Sequence, residues 1–168
     1  EALENYKKAT EINSSSIEAW RGMGIVLVTL GKNQEAIECL DKVIALNSSD
    51  IIAWESKATA QSNSGQYENA IQSYEQLIRL NLSDILAWKG KANAQSNLGQ
   101  YENALASYEK ALDLDPSDPV ALKGKAEMQN KLGRFSDALE NFEKASALDS
   151  TDANIWKGMG YAQLNLGK

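Results

Sequence analysis

Four cations recur at one register of this chain, Arg21, Lys89, Lys123 and Lys157, with Glu55 interrupting the series. Successive members (21, 55, 89, 123, 157) stand 34 residues apart. Hydrogen-bonding residues follow at fixed distances: Thr59, Asn93, Glu127 and Tyr161 four residues on, Asn63 and Asn97 eight residues on. Such a set suits recognition of a carboxylate or a peptide backbone, since a cation attracts the first and an amide offers both donor and acceptor to the second. It does not suit catalysis. The chain has no histidine, which removes the usual general base, the usual zinc ligand and every imidazole triad. No catalytic residue, metal site or cofactor is therefore expected, and the chain reads as no enzyme. Cys39, the only cysteine, reads as a small packing residue.

The cation register is one thread of a repeat. Trp20, Trp54, Trp88, Leu122 and Trp156 fall at the same spacing, and a fixed period of that size marks stacked supersecondary units. The chain divides into a half repeat at 1–16, full repeats at 17–50, 51–84, 85–118 and 119–152, and a half repeat at 153–168, read as a single array. In each first half, residues such as Trp54, Ala58 and Gln61 share one helical face. Asp50, Asp84, Asp118 and Asp152 precede these halves as N-cap candidates, and Gly31, Gly65, Gly99, Gly133 and Gly167 end them. Second halves carry a small residue followed by larger ones, as in Ala36/Leu40/Val43 and Ala104/Tyr108/Ala111; Ala2, Tyr6 and Ala9 hold those places in the opening half repeat. About ten helices follow. A single short helix is marginal in water, so the halves must lean on one another. Burying each Trp or Tyr contributes on the order of 2–3 kcal/mol.

With repeats numbered from Ile17, Ile51, Ile85, Pro119 and Ala153, Trp stands at place 4, Gly or Ala at place 8, Gly at place 15, Tyr or Phe at place 17 and Ala at place 20. This pattern resembles the tetratricopeptide repeat over the whole chain. Departures are Leu122 for one Trp, Asn33 for one place-17 aromatic, and a closing proline kept only as Pro116. The resemblance implies an all-α, right-handed α-solenoid of antiparallel helix pairs, a superhelix whose first-half helices line a concave groove. It also implies a scaffold that binds a peptide or helix of a partner. On that implication the groove residues are Arg21, Glu55, Thr59, Asn63, Lys89, Asn93, Asn97, Lys123, Glu127, Lys157 and Tyr161. The clamp that some family members use for chaperone C-terminal carboxylates is incomplete here. Lys89 and Asn93 match it, but Gly124, Asn154 and Gly158 stand where its further amide and cations belong.

Charge sharpens the expectation. First-half segments hold 11 Lys and Arg against three acids, so they carry +8 and the remainder −14 of a net −6. A basic lining would steer an acidic peptide inward; the competing reading is that the place-7 lysines Lys57, Lys91 and Lys125 pair with neighbouring acids. The negative total argues against nucleic acid as a partner. No apolar run approaches the roughly 18 residues a bilayer span needs, so no membrane partner is expected and a cytoplasmic location is favoured. Asn13, Asn47 and Asn81 fit a glycosylation pattern that the repeat itself explains.

The chain opens in what reads as mid-helix, as a piece of a longer array would. Both ends lack a polar capping helix, so Trp156 and Gly160 of one copy could meet Ala2 and Tyr6 of another in a head-to-tail homo-oligomer. The remaining alternative is a substrate-presenting arm of a larger enzyme.

Overall fold

A computed structural model describes residues 1–167; Lys168, the end of the final half repeat, lies outside the described residues. Among them are ten α-helices and no strand, in two compact units, 1–82 and 83–167. The N-terminal unit holds α1 (Ala2–Ile12), α2 (Ile17–Thr29), α3 (Asn33–Leu46), α4 (Ile51–Asn63) and α5 (Tyr67–Leu80). The C-terminal unit holds α6 (Ile85–Asn97), α7 (Tyr101–Leu114), α8 (Pro119–Lys131), α9 (Phe135–Leu148) and α10 (Ala153–Asn165). No helix among the described residues is long and apolar enough to cross a membrane.

Each first-half helix begins and ends by the same chemistry. The expected aspartates cap it: Asp50 Oδ1 accepts from Ala53 N at 2.9 Å and Asp118 Oδ1 from Ala121 N at 2.8 Å, with Ser16 doing the same for α2. At the other end Gly31 has φ +73°, Gly31 N donates to Val28 O and Lys32 N to Leu27 O, which is a Schellman closure. Only three residues, Leu30, Gly31 and Lys32, therefore separate α2 from α3, and the hairpin folds back at once. The loops between repeats are tied differently. Trp20 Nε1 donates to Ser14 O at 2.9 Å and Trp54 Nε1 to Ser48 O at 2.9 Å, so each indole fastens the loop before its own helix. Asn13 and Asn47 use their side-chain oxygens to accept from Ser15 N and Ser49 N; Asp115 and Asp149 do the same for Ser117 N and Thr151 N. The asparagines of the glycosylation pattern thus hold a turn that an aspartate holds elsewhere.

Within each unit, first-half helices stand side by side, α2 next to α4, and α6, α8 and α10 in succession. The core lies between the two kinds of helix. Ala36, Leu40, Val43, Ala53 and Ala60 are fully buried in the N-terminal unit, and Ala126, Ala138, Phe142, Ala145 and Ala162 in the C-terminal unit. Small residues there let backbones approach. A Cβ on Gly124 would lie 2.3 Å from Tyr108 Cζ, and one on Gly158 would lie 2.2 Å from Phe142 Cζ. The aromatic of one repeat therefore occupies the space above the place-6 glycine of the next. Where place 6 carries a side chain, Ser56, the preceding repeat supplies Leu40 instead of an aromatic ring.

A polar seam runs beside this core. Ser107 Oγ donates to Gln95 Oε1 at 2.7 Å, Asn141 Nδ2 to Gln129 Oε1 at 2.9 Å, and Ser73 Oγ to Gln61 Oε1 at 2.7 Å. In the first repeat both partners turn apolar together, Leu27 and Cys39, and both are buried. Burial raises the Cys39 thiol pKa and keeps the group protonated.

Candidate functional site

The register of cations that opens the sequence meets carboxylates from its own chain. Arg21 Nη1 lies 2.6 Å from Asp50 Oδ2, Lys89 Nζ 2.5 Å from Asp118 Oδ2, and Lys123 Nζ 2.5 Å from Asp152 Oδ2. Each aspartate therefore divides its two oxygens: one starts its helix, the other holds the cation of the preceding first-half helix. The hydrogen bond from Lys123 is the leading reason the Asp152 carboxyl sits below the usual carboxylate range, followed by the one from Asn154 N. The sequence did contain a signal for this. In all three pairs the aspartate stands 29 residues after the cation.

The place-7 lysines behave as the competing reading has it in two repeats: Lys57 Nζ is 2.5 Å from Asp41 and Lys125 Nζ 3.0 Å from Glu109. Lys91 Nζ lies 5.6 Å from the Trp88 ring. Much of the +8 counted on first-half segments is thereby matched locally.

Other predicted groove residues hold their own helices. Thr59 Oγ1 donates to Glu55 O at 2.9 Å and Asn97 Nδ2 to Asn93 O at 2.8 Å. Asn93 Oδ1 accepts from Tyr108 OH at 2.6 Å, and Tyr108, buried and near Glu127, has its pKa raised well beyond the ordinary phenol value. Glu55 and Asn63 are exposed on α4.

Lys157 differs from its counterparts. It is exposed, and it has no acid partner among the described residues. It lines a cleft of about 430 Å³ on the α6/α8/α10 face together with Glu127 and Tyr161 from the predicted set. Lys131, Asn130, Asn154 and Ser96 complete its polar lining, with Phe142 beneath the Cβ-less Gly158. Tyr161 is braced edge-on by Phe135, ring centres 6.0 Å apart. Asn130 Nδ2 donates to Gly158 O at 3.0 Å, which leaves Asn130 Oδ1 buried with no hydrogen-bond partner among the described residues. Burial raises the Glu127 carboxyl pKa, against the pull of Lys123. The cleft thus offers two unclaimed cations, amides and a half-exposed aromatic, which is recognition chemistry. Asn130, Lys131 and Asn154 stand at places 12, 13 and 2 of their repeats, and α8 and α10, side by side, bring them to one cleft.

The residues expected at the chain ends lie as follows. Tyr6 spreads its ring over Gly22, whose added Cβ would meet Tyr6 Cζ at 2.4 Å, and keeps 37 % of its surface. Ala2 is exposed. Trp156 is 51 % exposed, with Nε1 donating to Ser150 O, and a Cβ on Gly160 would meet nothing within 4 Å. At the same place in the first repeat, Gly24 is covered by Leu40.

Comparison with known proteins gives three family-model matches: a tetratricopeptide repeat at 21–81, a tetratricopeptide repeat at 85–118 and a TPR repeat at 126–167. No curated protein matches the chain. Among solved structures, MamA (residue 41 to its end) from Desulfovibrio magneticus RS-1 is 25 % identical with a TM-score of 0.83, covering 90 % of this chain and 85 % of its own. YrrB, described as a TPR protein with an unusual peptide-binding site, is 20 % identical with a TM-score of 0.81, covering 99 % and 86 %. A tetratricopeptide repeat protein from Parabacteroides merdae ATCC 43184 is 20 % identical with a TM-score of 0.86, covering 99 % and 66 %.

Proposed function

Because the chain belongs to the tetratricopeptide repeat family, a family of protein-interaction scaffolds, we propose that it is a non-catalytic scaffold that holds an acidic peptide segment of a partner protein on its first-half helices. The observation that carries this reading is the α8/α10 cleft, where Lys157 and Lys131 stand without the internal carboxylates that claim Lys89 and Lys123. A carboxylate of the partner would take the role that Asp118 and Asp152 take for those lysines. Asn154 supplies hydrogen bonds to its backbone, and Tyr161 supplies an apolar wall. Within the C-terminal unit Lys89, Asn93, Asn97, Lys123 and Glu127 set the shape and field around the cleft, while Arg21, Glu55, Thr59 and Asn63 stand on the first-half helices of the N-terminal unit.

The test is titration of the chain with acidic and charge-reversed peptide pools, repeated with Lys157→Glu and Lys131→Glu. The expected result is that acidic peptides bind and that either substitution weakens them several-fold, more at low salt. Binding unchanged by both substitutions would remove the cleft from the account.

Open space at Gly160 and the half-exposed Trp156 favour a second reading, head-to-tail association of copies through Trp156 and Gly160 against Ala2 and Tyr6. Light scattering over a concentration series tests it. Growth of mass that Trp156→Asp abolishes, with peptide binding retained, is the expected result; a monomer at high concentration would end it.

A further inference from the structure

In the N-terminal unit the α1/α3 cleft and the α3/α5 cleft share one design of backbone and differ in side chains. The α3/α5 cleft has Trp54, Lys57 and Gln61 on its floor; Asp41 takes Lys57 at 2.5 Å, and Ser73 Oγ donates to Gln61 at 2.7 Å. Asn69 and Gln72 stand on its wall, and about 370 Å³ remains. Thirty-four residues earlier the floor reads Trp20, Met23 and Leu27, with Cys39 in place of Ser73 and Lys7 in place of Asp41. Neither the ion pair nor the buried hydrogen bond can form there, and the cleft measures about 840 Å³. Its floor is apolar and continues to Leu30, which is 59 % exposed.

The walls change as well. Glu35 and Glu38 replace the neutral Asn69 and Gln72, and Glu4 and Glu11 line the α1 side. Lys7 and Lys32 also line the cleft, but Lys32 is 3.1 Å from Glu35, and Lys42 just outside it lies over the Trp20 ring at 3.8 Å. Acids therefore outnumber the available cations. The backbones of α1 and α3 stand apart, so α2 forms the bed of a trough between two helices.

We propose that this trough docks an amphipathic helix of a protein partner, its apolar edge over Trp20 and Leu30, which leave apolar surface open above the buried Met23 and Leu27, and its Lys or Arg side chains against Glu4, Glu11, Glu35 and Glu38. An apolar bed between acidic walls complements such a helix in both shape and sign. This surface lies on the N-terminal unit, between α1 and α3, and it takes a ligand of opposite charge to that of the α8/α10 cleft.

The test uses the whole chain, labelled at methionine methyls and tryptophan indoles for NMR, and titrated with a synthetic amphipathic leucine/lysine peptide. Shifts of the Met23 methyl and Trp20 indole signals are expected, with none from a leucine/glutamate peptide. The variant Lys7→Asp, Met23→Lys, Leu27→Gln, Cys39→Ser copies the α3/α5 floor and adds negative charge. It should nevertheless weaken the leucine/lysine peptide by about tenfold or more, with its fold confirmed by circular dichroism. Lys157→Glu should leave this titration unchanged, which separates it from the acidic-peptide reading. Shifts of equal size at Trp54, Trp88, Trp156, Met128 and Met159, equal affinity in the four-residue variant, or equal binding of the leucine/glutamate peptide would each overturn the proposal.

Discussion

Lys89 Nζ and Asp118 Oδ2 lie 2.5 Å apart across 29 residues of sequence, with both side chains more than four-fifths covered. The same carboxylate accepts from Ala121 N and so begins α8. Removing it deletes a helix cap, worth about 1 kcal/mol, and strands a half-desolvated ammonium. Asp118→Ala should lower stability by about 2–3 kcal/mol in urea unfolding. Asp118→Asn keeps the cap and should cost about half of that.

Gly124 and Gly160 make a matched pair. Alanine in place of helical glycine gains about 1 kcal/mol of propensity, and at Gly160, where space is open, that gain should appear nearly whole in thermal or urea unfolding. At Gly124 the new methyl would sit 2.3 Å from Tyr108 Cζ. Overpacking of that kind costs about 1–3 kcal/mol, so Gly124→Ala should destabilise. Adding Tyr108→Leu should recover part of the loss, as the natural Leu40/Ser56 combination suggests.

The Gln95–Ser107 bond should behave as a unit. Each single change, Gln95→Leu or Ser107→Cys, leaves a buried polar atom without its partner and should cost about 1–3 kcal/mol. The double variant copies Leu27/Cys39 and should cost less than the sum. A double-mutant cycle reads the coupling, expected at about 1 kcal/mol or more.

Two carboxyls should give opposite pH responses. Glu127 has a folded-state pKa raised by burial, so the folded chain holds that proton more tightly and loses stability as pH rises through the window above the ordinary glutamate value. Glu127→Gln should therefore be more stable than the parent at neutral pH, with the difference vanishing in acid. Asp152, whose pKa is lowered chiefly by Lys123, contributes stability that is present above the ordinary aspartate value and fades as pH falls through its depressed one. Asp152→Asn should remove that acid-side slope in stability measured against pH.

The period, the ten helices, the capping aspartates and the left-handed glycines were all legible in the chain, because each depends on residues close in sequence or on the repeat itself. Three features were legible at most as spacings, such as the 29 residues from cation to aspartate. The aspartate's second oxygen, the glycine beneath the aromatic and the glutamine–serine seam join residues on different helices, and their geometry exists only once the helices pack. Place 6 illustrates the difficulty. Gly124 and Gly158 read from sequence only as gaps in the carboxylate clamp, whereas Gly22, Gly124 and Gly158 each lie beneath an aromatic ring. The cation series shows the same limit, since Arg21, Lys89 and Lys123 look alike on paper to Lys157 and only packing shows which of them meet an aspartate of their own chain.

The two-oxygen aspartate also dictates where such an array can be shortened. A cut placed just before Asp118 would strip the lysine left behind of its counter-ion, whereas a cut one residue later keeps it. Engineered truncations that end on the aspartate should outlast those that stop short of it, although the two differ by a single residue.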